Sequence, residues 1–247
     1  LKRSEVAEAR KSSYARVMET QRRFSRAAVL LLGAWTAVFP PTFAQATNAP
    51  VKDLGKGRFQ IGLVTLDRQS KSLSFPAAVN MNTGLVEYLV VTTGGKIHES
   101  VFKTEAEPFH IHAAMLLLGA KLDTNIDTAV FFDPKREIPG PKLKIEVAIP
   151  AQGGRTLPIH EFLQNAQSKT TVTAGQIPHW IYNGSRMSDG VFLAQREGSV
   201  ISLIADPSAV INNPRQDRQN DELWMTNEGK VPPVDTPVVL KFALAPE

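Results

Sequence analysis

From residue 59 onward, apolar and polar positions alternate in short runs separated by Gly, Pro, Asn and Asp, the pattern of a sheet protein. Strands are predicted over Phe59–Leu66, Leu143–Ile149, Thr170–Thr173, Trp180–Tyr182, Val191–Gln195, Val200–Ile204 and Val238–Ala243. The clearest element is a hairpin. Val86–Thr93 (VEYLVVTT) is rich in β-branched residues, Gly94-Gly95 suits a tight turn, and Lys96–Phe102 (KIHESVF) returns. One segment breaks the alternation. Pro108–Leu118 (PFHIHAAMLLL) favours a helix over about residues 107–119, with Pro108 in its first turn and Gly119 at its end. Its apolar residues lie nearly all round, which predicts burial. His160–Ala166 (HEFLQNA) has the make-up of a second, short helix, and Thr124–Phe132 fits either state. The expected fold is an α+β domain over residues 58–247, a mainly antiparallel β-sheet with one buried helix. A polar, flexible lead-in is expected over 47–57.

The N-terminal part has a different pattern. Arg22, Arg23 and Arg26 precede an uncharged run, Ala27–Phe39; two prolines end it, and Ala44-Gln45-Ala46 follows. These are the parts of a cleavable secretory signal over 18–46. Thirteen apolar residues fall short of the roughly 20 that span a bilayer. The arginine pair leaves the general and twin-arginine export routes both open. Residues 1–17 precede the first methionine and read as upstream sequence. The product is expected to be periplasmic or extracellular.

Export changes the charge picture. The chain holds 28 Lys+Arg and 24 Asp+Glu, of which residues 1–46 carry 8 and 3. The remainder has 20 basic and 21 acidic residues, a net of −1. A nucleic-acid partner is not expected, since such domains carry a basic surplus. The chain has no cysteine, which excludes an iron–sulfur cluster, a thiolate zinc site, a cysteine nucleophile and a lipid-anchored N-terminal cysteine. After signal cleavage the protein is expected to be soluble, without a membrane span.

The blocks GLVEYLVVTTGGKIHES (Gly84–Ser100) and HIHAAMLLLGA (His110–Ala120) resemble the YdjY-domain proteins, exported bacterial proteins with a Gly-Lys-x-His-Glu-Ser turn and a His-Ala-Ala-x-Leu-Leu-Leu-Gly helix. Trp180–Ser185, Phe192–Gln195 and Asp206-Pro207 are similar to the family's later blocks, so the resemblance spans most of Phe59–Ala245. It implies an exported domain and brings no activity with it. The "ferredoxin-like" label and the lipoprotein status of some relatives do not transfer, for want of cysteine.

Few residues suggest chemistry. His98-Glu99 is not a zinc-protease motif, because Phe stands at position 102 and the segment reads as a strand. On that strand His98 and Glu99 project to opposite faces, with Glu99 toward the core. There it would need hydrogen bonds, for example from amides at the start of the helix, or would act as a general acid/base. His110 and His112 stand about 200° apart on a helix and cannot chelate together. His112 alone could join His98 and Glu99 as a zinc site. The plainer reading of each histidine is a structural hydrogen bond. Glu87, on the His98 face, should lie roughly 13 Å from it along the sheet. Trp180, Tyr182 and Trp224 are candidate stacking platforms for a carbohydrate, and Ser185 a polar loop residue without an identifiable base. Three readings follow: a non-catalytic binding or structural domain serving an envelope component or small ligand, a metal-dependent hydrolase using His98, His112 and Glu99, or a cell-wall carbohydrate binder.

Overall fold

Two long strands with strict alternation organise the structure, a computed structural model that describes residues 49–123 and 125–246. Pro237–Leu244 buries Val238, Leu240 and Phe242, and Lys142–Ile149 buries Leu143, Ile145, Val147 and Ile149. Lys241, Lys144 and Glu146 face outward between them. Period-two patterning of this kind sends one face to the core and the other to water. The expected export signal over 18–46 lies outside the described residues.

In chain order the strands are β1 (Lys52–Gly55), β2 (Arg58–Ile61), β3 (Val64–Asp67), β4 (Ser72–Val79), β5 (Tyr88–Thr92), β6 (Ser100–Thr104), β7 (Lys142–Ile149), β8 (Arg155–Pro158), β9 (Leu163–Asn165), β10 (Trp180–Tyr182), β11 (Met187–Ser188), β12 (Val191–Phe192), β13 (Ser199–Ser202), β14 (Ile211–Asn212), β15 (Trp224–Thr226) and β16 (Pro237–Leu244). The helices among the described residues are α1 (Pro108–Leu117), α2 (Ala129–Phe132) and α3 (Leu193–Glu197).

These strands correct the expected fold class. Eight of them pair in the order β4-β16-β7-β10-β14-β13-β5-β6, and β6 pairs back with β4, closing a barrel. The domain is therefore mostly β and barrel-forming, not an α+β domain on an open antiparallel sheet. Closure leaves no free edge among the eight. The β5/β6 and β13/β14 pairs are parallel. Strands β1, β2 and β3 extend from β4 as a meander, so the lead-in expected to be flexible contains a strand.

The hairpin expected at Gly94-Gly95 does not form. Residues 93–99 instead carry the chain back beside β5, through a 3-10 turn at Ile97–Glu99, and β6 leaves parallel to β5 with Val90 opposite Phe102. Both edges of β6 are then used, one by β5 and one by β4, where Phe102 faces Val79. Gly95 has a different task from the expected turn: a Cβ there would stand 3.0 Å from the Gly198 carbonyl oxygen.

Other expectations change in detail. The run Phe59–Leu66 is two strands, β2 and β3, joined through Gly62. Val191–Gln195 is strand only to Phe192, and helix α3 begins at Leu193. Around Thr171 there is a single bridge to Gln164. The short helix expected over His160–Ala166 is a 3-10 turn, Ile159–Phe162, followed by β9. Strand β4 was hidden by Pro76. It is tolerated because β3 pairs only as far as Ser74 and β6 begins at Ala78, so Pro76 stands where β4 changes partner.

Helix α1 is only half-buried. Ile111, Ala114 and Met115 enter the core, while Phe109, Leu116 and Leu117 remain 40–46% exposed. That outward apolar face is where the candidate site begins.

Candidate functional site

Helix α1, the 122–131 connection and the small ribbon of β11 and β12 enclose a cleft of about 530 Å³. Pro108 starts α1 without needing an amide donor, and the next amide, Phe109, donates to Gln195 Oε1 of α3 at 3.3 Å. This fixes the helix start beside the ribbon. Phe109 then meets Phe192 edge-on, with centroids 5.7 Å apart. Leu116, Leu122, Ile126, Phe131 and Met187 supply the rest of the apolar wall.

The polar groups of the cleft come from His112 and the segment after β10. Tyr182 OH lies 2.9 Å from His112 Nδ1 and 3.3 Å from the His112 carbonyl oxygen. Burial pushes the His112 imidazole below its ordinary value of 6.5 and the Tyr182 hydroxyl upward, so both are neutral at pH 7. Nε2 is left as the ring's unengaged polar atom among the described residues. The imidazole sits against Phe192, centroids 5.1 Å apart, and against the backbone of Gly184. At Gly184, φ is +77° and a Cβ would stand 2.3 Å from Leu122 Cδ1, so this position requires glycine.

Ser185 lines the cleft but its hydroxyl is committed. It donates to the Ser208 carbonyl at 2.6 Å and accepts from the Ala194 amide at 3.1 Å. Asn183 is likewise held, donating to the Ala209 carbonyl and accepting from Asn212 Nδ2. Arg186 is exposed at the rim, and its guanidinium makes no hydrogen bond or ion pair among the described residues. Among the described residues the cleft therefore offers apolar walls, one imidazole nitrogen, the Arg186 cation and the exposed Asp123 carboxylate. Among the described residues no titratable side chain is hydrogen-bonded to the Ser185 hydroxyl.

A second polar group lies at the other parallel connection. The Lys96 ammonium donates to Tyr88 OH at 2.5 Å and stands over its ring, and Tyr88 OH donates to Asp206 Oδ2 at 3.1 Å. Asp206 in turn accepts from the Ser208 amide. Burial, then the Asp206 charge, drives the Tyr88 hydroxyl far upward, so it stays a donor. The unit is an ion pair bridged by a buried tyrosine, and it ties residues 93–99 to residues 203–210.

The structure brings some of the sequence candidates together and separates others. His98 and Glu99 do not point to opposite faces. On the 3-10 turn, His98 Nε2 is 3.6 Å from Glu99 Oε2, with His98 at the surface and Glu99 half-buried. Glu87, expected far from His98, is close enough to feel it, because the parallel pairing sets Glu87 N on the Glu99 carbonyl. The start of α1 takes Gln195, not Glu99. His112 belongs to the cleft, apart from His98 and Glu99, and no three His, Asp or Glu among the described residues are grouped to hold a metal. His110, two positions along, is buried beneath Gly62, as helical spacing requires. Trp180, Tyr182 and Trp224 are at most 2% exposed and offer no ring face to a sugar.

Sequence reasoning missed the roles of Lys96 and Asp206. Lys96 was visible only as the residue after a glycine pair, and its role follows from the parallel return that the hairpin reading hid. Arg186 was legible with Ser185 as part of a polar loop, the kind of segment that carries function, but not as a lining residue of the cleft.

No helix among the described residues is long and apolar enough to cross a membrane. Neither a curated protein nor a solved structure matches the chain. Residues 64–243 match the YdjY domain, which takes in the barrel, α1 and every residue of the cleft, and the chain belongs to that family.

Proposed function

We propose that this YdjY domain is an exported, non-catalytic binding module whose ligand site is the cleft beside α1. The observation that carries the reading is the state of the polar groups there. Ser185, Asn183 and His112 Nδ1 are each engaged by neighbouring protein atoms, whereas the apolar wall, His112 Nε2 and Arg186 are free to meet a ligand. A cleft of this size with few polar groups has the character of a small-molecule site. Export is supported by the 18–46 pattern.

Titration of the chain with the neutral fluorophore N-phenyl-1-naphthylamine tests this reading. Saturable binding is expected, weakened about tenfold or more by Leu116→Gln, which puts an amide on the apolar wall at little cost to the half-exposed helix. Absence of saturable binding in the parent chain, or binding indifferent to Leu116, overturns it.

A further inference from the structure

The cleft continues past its own rim. On the far side of α1 lies a second concavity of about 430 Å³, walled by Val51, Ile61, Ala113 and Leu117. Phe109 and Leu116 line both. The two therefore meet over the helix, between side chains seven residues apart, or roughly 10 Å along the axis. Ten large apolar side chains are strongly exposed among the described residues, and five of them (Val51, Phe109, Leu116, Leu117 and Met187) line this path. Scattered apolar residues need no explanation, but a contiguous run of them marks a binding surface.

Both charged residues on the lining, Arg186 and Asp123, belong to the first cleft. Arg186, at the ribbon end, has no anionic partner among the described residues. Asp123, the other charged residue on the cleft lining, is an exposed carboxylate on the 122–131 connection that accepts from the Asn125 amide through Oδ1. The second concavity has no Asp, Glu, Lys or Arg on its lining among the described residues, and its one polar side chain, His110, is buried. A ligand that satisfies this layout has a negative head, a narrow apolar body and little else.

Resting on the reading of the cleft as a ligand site, we propose that its ligand is a single-chain anionic amphiphile, a long-chain carboxylate. The head meets Arg186 and His112 Nε2, and the chain crosses α1 into the second concavity. To cross, the chain needs roughly ten or more carbons, given C–C bonds of about 1.5 Å. Each methylene that passes from water onto the apolar path tightens binding up to about fourfold.

The test is displacement of N-phenyl-1-naphthylamine from the chain by hexanoate, decanoate and hexadecanoate, each beside the alcohol of equal length. Affinity is expected to rise along the acid series, with hexadecanoate at least about tenfold tighter than hexadecanol. Arg186→Gln should abolish the preference of acid over alcohol and leave the alcohol unchanged. Leu117→Gln should weaken hexadecanoate about tenfold and leave hexanoate untouched, because only the longer chain reaches that side chain. Equal binding of acid and alcohol by the parent chain overturns the anionic head, while the saturable fluorophore signal keeps the ligand-site reading intact. Affinity that stops rising at hexanoate overturns the path over α1. A dimer in sedimentation that Leu117→Gln dissociates, with no acid bound, overturns the proposal in favour of a second copy covering this face.

Discussion

The wall of the barrel formed by β4, β16 and β7 and the wall formed by β10, β14, β13 and β5 use the same backbone pairing under different rules. In the first, the outer face meets water, and Lys241, Lys144 and Glu146 alternate with buried neighbours. In the second, all three residues of β10, both of β14 and all four of β13 are buried, as are Tyr88 through Val91. A covering layer accounts for this. The connections 93–99 and 203–210 lie over it, and Val130, Phe131 and Ile138 pack on Ile181. The two parallel connections thus serve as the roof of one side of the barrel. The cleft opens where that roof meets α1.

The comparison is broken most directly by placing the same polar residue at consecutive positions of each wall. In the covered wall, Val90→Asn and Val91→Asn should each cost about 3 kcal/mol or more, because both side chains are fully buried and neither face offers the amide water. In the open wall, Ile145→Asn should cost a similar amount, while Glu146→Asn should stay within about 0.5 kcal/mol. Urea midpoints with unchanged slopes read the effect. If Val90 and Val91 differ as sharply as Ile145 and Glu146, the wall is not covered as described.

A smaller effect is expected at Arg218, which holds the cover down. It is 1% exposed, and its guanidinium donates to the carbonyls of Phe131, Arg215, Val130, Asp133 and Arg136 at 2.5–2.8 Å. Two of these acceptors close the last turn of α2, where a cation is favoured. No carboxylate is among these acceptors, and burial pulls the guanidinium below its ordinary value. Arg218→Met would leave several carbonyls buried without donors, a loss of about 2–4 kcal/mol. Hydrogen exchange should locate that loss. Amides over 130–138 should exchange faster, those of β7 and β16 should keep their protection, and the fluorophore should bind less tightly because Phe131 lines the cleft.

The two walls also separate what a sequence discloses from what it conceals. Val238–Ala243 and Leu143–Ile149 were legible because one wet face leaves a polar residue at every second position. In Val86–Thr93 the strand was legible from its β-branched residues, but its partner was not. Buried on both faces, it carries no alternation to show which edge meets which strand, and Gly94-Gly95 invites a hairpin. That single misreading sent Glu99 to the core, kept Glu87 from His98 and hid Lys96. Of the cleft, the sequence disclosed His112 and Ser185 but not their commitments, since Tyr182 and Ser208 reach them from segments 70 and 23 residues away in the chain. Phe109 and Leu116 looked like core, because an apolar stripe on a helix is the same whether it meets a sheet or a ligand.

The finest distinction between the walls is electrostatic and falls at Glu87. Half-buried at the entry to β5, its carboxyl is raised above the ordinary 4.5, first by burial and then by Glu99 and Asp221, against the pull of Lys96 and His98. In the unfolded chain the group returns to its ordinary value, so the folded state binds this proton more tightly. Its contribution to stability is fully present below pH 4.5 and is lost as pH rises through the raised folded value. Glu87→Gln keeps the shape, carries no charge and removes that decline. At pH 7 the variant should melt higher than the parent, by about a degree or two, and the advantage should vanish at pH 4. Salt should narrow the gap at pH 7 by screening Glu99 and Asp221, but should not close it, since burial is the larger cause. Glu146→Gln on β7 is the matched substitution on the open wall, and at pH 7 its exposed side chain should leave the melting temperature within about a degree of the parent's. A Glu87→Gln variant that also tracks the parent would show that water reaches the covered wall at its rim, and would confine the dry region to the strands between Tyr88 and Ser202.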